Sequence, residues 1–363
     1  SFLSYLLTVC IDKTPIMARD TAYIKHLIGI PIDTIIVTPP TNGKTYILDA
    51  QTVGIVEGFI SDDTALANVK AWNNMINNLP NDITTLQIDK LDAYFHVEDF
   101  DKWRAAKYNT LKALKLRGNL HLKMSNDVYL RVQPNTSFSF HLLSIFESNN
   151  ITVTGGHLVG DRFKHDYSPV TDRFGNSRNS HEWGYLLNVT SSKNIIIEGV
   201  DISDSSGDCI NVNASHIRNQ NGTPGQAIIS EDILIKNCQI TRARRNGISV
   251  VDGNRIEILE NTFKENGLGE QLEGSSASGI APRSALDLEA YNENNANGDI
   301  LQYEKVENIT VKKNRFIDNH SDFILFICYD VLVEENEFSK GISCQYSANV
   351  EIKKKHTNWY DRF

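Results

Sequence analysis

From about Leu120 onward, apolar and polar residues alternate in short runs, and the runs fall into recurring classes. One class occupies 141–148 (HLLSIFES), 185–192 (YLLNVTSS), 208–215 (DCINVNAS), 246–253 (NGISVVDG), 284–291 (SALDLEAY) and 322–327 (DFILFI). A second class is interleaved with it at 150–156 (NITVTGG), 194–199 (NIIIEG), 232–237 (DILIKN), 255–261 (RIEILEN), 308–314 (NITVKKN) and 330–336 (DVLVEEN). Each member of the second class ends in Asn or Gly ahead of a third short strand, such as Gln239-Ile-Thr241 or Arg315-Phe-Ile317. Alternation with period two predicts strands, and the Asn and Gly endings predict turns.

Repetition of pattern without identity, in units of roughly 20 to 40 residues, predicts an all-β solenoid: a right-handed parallel β-helix in which each coil adds one rung to each sheet. Antiparallel hairpins would place Asn-Gly or Asp-Gly pairs between the strands, and the chain mostly lacks them. Corner Asn residues suit left-handed backbone and can bond to the same corner of the next coil. Coils are expected from about Leu120 to Trp359, with Leu187, Ile210, Ile248 and Leu286 stacked inside.

The opening sixty or so residues fit none of these repeats. Pro39-Pro-Thr-Asn-Gly43 reads as a loop between two apolar runs. From Asp62 a helix is predicted, capped by Asp62 or Asp63, with Leu66, Val69, Trp72, Ile76 and Leu79 on one face and Pro80 as its stop. It can close the open end of the solenoid, whose terminal coil otherwise exposes backbone edges. The expected division is therefore an N-terminal attachment or cap region over 1–61 and a β-helix domain over 62–363.

The full chain has 363 residues, 40% hydrophobic and 22% charged, enough for a large core. Its formal net charge of -9 argues against a nucleic-acid partner, which needs a basic stripe to neutralise phosphates. No apolar run approaches the roughly 20 residues of a membrane helix. Five cysteines occur singly, without any CxxC, so zinc and redox motifs are not expected, and they read as buried small hydrophobes rather than disulfides.

Candidate chemistry concentrates between Ser180 and Val212. Glu182 enters one strand, Asp204 leaves the next and Asp208 enters the third. Alignment of the first class on its inward aliphatics puts Asn188, Asn211, Ser249 and Asp287 in one outward column. Alignment of the second brings Asp161, Asp204 and the Thr241-Arg-Ala-Arg-Arg245 run to a shared exit turn. One face is thus expected to carry Asp161, Glu182, Asp204, Asp208 and Asp287, flanked by Arg162, Arg242, Arg244 and Arg245. Crowded carboxylates repel, so at least one should hold its proton near neutrality while a neighbour stays ionised. That pairing suits glycosidic bond hydrolysis. Two polar insertions, 162–179 and 267–283, are expected to wall a groove over this face.

The segments 155–162 (GGHLVGDR), 181–184 (HEWG), 206–208 (SGD), 244–249 (RRNGIS) and 285–289 (ALDLE) resemble the right-handed parallel β-helix, pectate-lyase-like family found in bacterial surface proteins and in phage tail spikes or appendages. The resemblance runs from about Asp62 to the C-terminus. It implies polysaccharide recognition, often with cleavage, an extracellular, cell-surface or virion location and, in phages, a homotrimer. The Asn-Thr-Asp, Gly-His-Gly and Arg-Ile-Lys signatures of polygalacturonases are absent, which argues against pectin hydrolysis.

The leading expectation is a polysaccharide hydrolase with Glu182, Asp204 and Asp208 as the acid and base set. Asp161, Arg162, Trp183, Asn211, Arg244, Arg245, Asp287 and Glu289 are then assigned to substrate binding. No cofactor or metal is expected in that case. A polysaccharide lyase is the nearest alternative, with calcium held by Asp residues to neutralise an acidic sugar. A non-catalytic glycan-binding spike or adhesin is the other.

Overall fold

In the computed structural model, residues 6–7, 32–97, 113–172, 175–216, 227–269, 277–290, 292–294 and 300–353 are described. Three parallel sheets wind as a right-handed β-helix. Among the described residues the first sheet has ten parallel strands, beginning with Lys44–Ile47, Ile83–Ile88 and Leu120–Met124 and ending with Cys328–Glu334 and Ala348–Lys353. Leu6–Leu7 adds to its last edge antiparallel, with Leu6 opposite Ile352. The second sheet has seven short strands, from Leu91–Phe95 to Arg315–Ile317. The third has eight, from Leu114–Lys115 to Ile342–Gln345, and carries the first strand class.

The register follows the aliphatic pattern. Leu187 pairs with Ile210, Ile210 with Ile248 and Ile248 with Leu286, each of them fully buried. Ile195, Ile233, Ile256, Ile309 and Val331 stack likewise in the first sheet. A one-residue slip would turn every such column outward, so burial pins the register.

The corners explain the Asn pattern. Asn119, Asn150, Asn194, Asp232, Arg255, Asn308, Asp330 and Asn349 all have φ between 52° and 61° and occupy one left-handed corner, coil upon coil. Asn194 Nδ2 donates to Asn150 Oδ1 (2.8 Å), and Asn150 Nδ2 to Asn119 Oδ1 (2.9 Å). At the next corner buried Asn261 and Asn314 and half-buried Asn336 form a ladder of the same kind, at 3.1 and 2.9 Å.

The coils start earlier than the expected Leu120. Ile83–Ile88 and Leu91–Phe95 already form rungs, because Leu86, Ile88, Leu91, Ala93 and Phe95 alternate inward. Lys44–Ile47 is a strand of the first sheet, and the extended chain before it lies along the left-handed corner. Asp33 N donates to Asn308 Oδ1, Ile36 N to Asp232 Oδ1 and Thr38 N to Asn194 Oδ1, down the corner column.

The helix spans Asp62–Asn78 and closes the first coil, with Trp72 buried edge-on to Phe95 and its Nε1 donating to Lys115 O (3.0 Å). Its cap is Ser61 rather than Asp62 or Asp63: the Ser61 hydroxyl accepts from Thr64 N, leaving both acids in the first turn, where they favour the helix dipole. Among the described residues, no helix is long and apolar enough to cross a membrane. Cys209, Cys238 and Cys328 are buried free thiols, whereas Cys344 is half-buried; Cys10 lies outside the described residues.

Asn314 is fully buried and serves two coils at once, accepting from Asn261 N and Nδ2 and donating to Ile258 O and Asn336 Oδ1. Asn314→Ala strands several of these groups and should cost about 2 to 4 kcal/mol, read as a lower midpoint in urea unfolding.

Candidate functional site

The structure divides the sequence-selected acids between two places on either side of the turn joining Ser203 to Asp208. Asp208, Glu182 and Asp287 gather with Arg245 where strands enter the third sheet. Asp161 and Asp204 lie where strands leave the second.

The first group depends on a close approach. A Cβ on Gly207 would sit 2.4 Å from Glu182 O and 2.7 Å from Gly184 O, so only glycine lets this turn settle against the strand that begins at Trp183. Asp208 is then enclosed, with no exposed side-chain surface. It accepts from Arg245 NH1 at 3.2 and 3.1 Å, from Asn211 Nδ2 at 3.1 Å and from Asn246 N at 3.2 Å. Arg245 Nε faces Glu182 Oε2 at 3.4 Å, and Ser180 Oγ donates to Glu182 Oε1 at 3.0 Å. Glu182 and Arg245 are the solvent-facing edge of the set, with side chains 26% and 17% exposed.

Asp287 lies two rungs on, in the expected column: Asn188 pairs with Asn211, Asn211 with Ser249 and Ser249 with Asp287. This column is not an open groove floor, for all four residues are buried and Asp287 is 2% exposed. Asp287 Oδ2 accepts from Asn246 Nδ2 (3.0 Å), while its buried Oδ1 has no hydrogen-bond partner. Burial, and next the charge of Glu289, push this carboxyl up to about 7 against the pull of Arg245. Burial opposes the Arg245 charge too, but Asp208, Tyr185, Asp287 and Glu182 outweigh it and hold the guanidinium above its ordinary value. The arrangement therefore sets a carboxyl that keeps its proton to neutrality beside an arginine-clamped carboxylate.

Asp204 is apart from this set. Its φ of 61° turns it onto Arg242, which grips it with Nε at 2.6 Å and NH2 at 3.2 Å. Asp161 accepts from Asn135 N (3.1 Å) and contacts His165 Nδ1 (2.8 Å). His165 Nε2 meets His181 Nδ1 (2.9 Å), and His181 Nε2 meets Ser168 O (2.8 Å). A carbonyl only accepts, so His181 donates from Nε2 to Ser168 O, and its Nδ1 is left to meet His165 Nε2. Asp161 and His165 stand four positions apart, a spacing that is the local sequence signal of this chain.

Arg162 and Arg244, assigned to substrate, direct their donors to main-chain carbonyls. Arg162 is fully buried and bonds Ala277 O, Arg242 O, Ala243 O and Leu268 O. Arg244 bonds Ser278 O, Ser180 O, His181 O and Ser206 O, and lies 4.1 Å from the Tyr167 ring centre. Both tie the two insertions to the coils, because irregular loops packed on a solenoid leave carbonyls that need donors. Trp183 packs edge-on against Phe138 at 5.9 Å under Arg178. Asn211 braces Asp208, and Glu289 is half-buried beside Asp287. Among the described residues, no three His, Cys, Asp or Glu side chains gather as metal ligands.

The chain is thus a right-handed parallel β-helix protein with a buried carboxylate and arginine cluster at the mouth of one sheet. No family model matches its sequence. Over 237 residues it is 31% identical to the uncharacterized protein YclG of Bacillus subtilis (strain 168), covering 65% of this chain and 37% of that protein. Over 245 residues it is 30% identical to the SPbeta prophage-derived uncharacterized protein YorA of the same organism, covering 66% and 38%. The chain spans less than two fifths of the length of these relatives. Among solved structures, an iota-carrageenase complexed to iota-carrageenan fragments aligns with 82% of this chain and 57% of its own at TM-score 0.49 and 15% identity. A tailspike protein of E. coli bacteriophage HK620 in complex with pentasaccharide aligns with 78% and 47% at TM-score 0.42 and 13% identity.

Arg245→Met leaves Asp208 buried without its cation and should destabilise the fold by about 3 to 5 kcal/mol in denaturant unfolding. Asp287 carries the opposite sign. Its folded value near 7 lies above the ordinary 3.8, so the unfolded chain binds fewer protons between those values and stability falls as pH rises through them. Asp287→Asn should remove most of that fall, which amounts to about 4 kcal/mol, in melting temperatures recorded from pH 4 to 8.

Proposed function

We propose that the protein binds and hydrolyses a polysaccharide, with Asp287 as proton donor and Glu182 as the ionised partner that activates water. The observation that carries this reading is the Asp287 carboxyl, pushed up to about 7 by burial and Glu289 within reach of Arg245 and Asp208. Hydrolysis of a glycosidic bond needs one protonated and one ionised carboxyl, and different surroundings for two acids are how a protein supplies both. Asp208 acts through Arg245, fixing the guanidinium that holds Glu182. Arg245 is also placed to meet an acidic or hydroxyl group of the sugar at the solvent edge.

The prophage-derived relative supports a surface or virion-tail setting, in which a homotrimer attached to a larger particle is the proposed assembly. Light scattering that returns a monomer at micromolar concentration would remove the trimer.

A non-catalytic glycan receptor is the second reading, favoured by the enclosure of Asp208 and Asp287 at 0% and 2% exposure. Incubation with a panel of bacterial surface glycans separates the two. Hydrolysis predicts new reducing ends, lost by about 10² to 10⁴ in rate in Asp287→Asn and Glu182→Gln. Unsaturated products abolished by a chelator would instead identify a calcium-assisted lyase, and binding with no product would identify the receptor.

A further inference from the structure

Outside the second sheet, across the turn from the cluster above, lies a cleft of about 180 Å³ lined by Tyr94, Arg131, Asp161, Phe163, Lys164 and Asp204 over a floor of Val132, Pro134, Val159 and Gly160. Its depth depends on Gly160, where a Cβ would stand 2.0 Å from Asp204 O; glycine lets the two turns pass close enough for Arg162 N to donate to Asp204 O (3.0 Å).

Most charges around this cleft are already committed. Arg131 is clamped by Asp92 at 2.6 and 3.2 Å, and Asp204 by Arg242. Asp161 is different. Its side chain is enclosed, with Oδ2 committed to Asn135 and His165, yet Oδ1 is buried without any hydrogen-bond partner beside the cleft. A buried acceptor left unmatched is destabilising, so a donor that reaches it is favoured. The His165–His181 chain fixes the carboxyl plane and keeps Oδ1 from rotating away.

The rim is aromatic. Phe163 is 46% exposed, Phe59 is 67% exposed and stands edge-on to Tyr94 at 5.3 Å, and the Lys164 amine lies 5.8 Å from the Phe59 ring centre. Large exposed rings beside a polar cleft mark a contact surface for a ligand with one apolar face. A pyranose has that form: C–H groups on a face, hydroxyls around the edge. The volume falls below the roughly 300 Å³ of a drug-sized site and suits one ring.

We propose that this cleft is a second glycan site, which holds a single sugar ring by a hydroxyl donated to Asp161 Oδ1, an acceptor facing Lys164 and stacking on Tyr94 and Phe163. It shares the glycan chemistry of the reading above but none of its reacting groups, and would anchor a chain remote from the bond being cut. Because Asp161 is tied to His165, the test rests on the aromatic residues, whose loss leaves that pair intact.

Saturation-transfer NMR with galactose, N-acetylglucosamine and glucuronic acid at roughly 10 mM, where millimolar affinities approach saturation, reads occupancy directly. At least one sugar should give a signal in the native protein and in Glu182→Gln, reduced about fivefold in both Tyr94→Ala and Phe163→Ala. No signal from any of the three, or a signal that survives both aromatic changes, would overturn the proposal. A signal lost in Glu182→Gln but not in Phe163→Ala would place sugar at the carboxylate cluster alone and overturn it equally.

Discussion

The constraint on which the structure depends is that every coil must repeat the backbone path of the one below at a spacing of about 4.8 Å, because the hydrogen bonds of a parallel sheet run between coils. Each coil therefore turns its corners in the same conformation, including a left-handed one that most side chains disfavour. Asn and Asp hold much of that corner column, and where two Asn residues follow one another in adjacent coils the side chains bond to each other. The exceptions show the same rule: Arg255 takes the left-handed corner and its guanidinium grips Asp232 in the coil below at 2.8 and 3.1 Å. Insertions leave only where they do not disturb this path.

The same repetition made the fold legible from sequence. The Ile195, Ile233 and Ile256 stack follows from period-two alternation, and the left-handed corner from Asn at fixed offsets. The first coil was harder to see because its rungs, Ile83–Ile88 and Leu91–Phe95, have Asp89 and Lys90 at the corner in place of Asn or Gly. Lys44–Ile47 was missed as a rung because a 17-residue helix separates it from the strand it pairs with.

The candidate site was legible in part. Rung register placed Asp208, Asn246 and Asp287 on one sheet, and the structure adds that Asn246 touches both acids, through N to Asp208 and Nδ2 to Asp287. What register cannot give is the direction taken at a corner. Only three residues separate Asp204 from Asp208, yet a left-handed turn sends one to Arg242 and the other to Arg245. Nor does a sequence distinguish an arginine that meets ligand from one that ties down loop carbonyls, as Arg162 and Arg244 do, since Arg244 and Arg245 are neighbours in one polar run.

The functional reading rests on a single electrostatic arrangement: Asp287 retains its proton to neutrality because burial and Glu289 outweigh the attraction of Arg245. Its ionisation can be followed directly by carbon NMR of aspartate carboxyls, with Asp287→Asn identifying the resonance. A midpoint near 7 is predicted for that carboxyl in the folded protein. A midpoint near the ordinary 3.8 would show that Asp287 is ionised throughout the neutral range, and would contradict its role as proton donor.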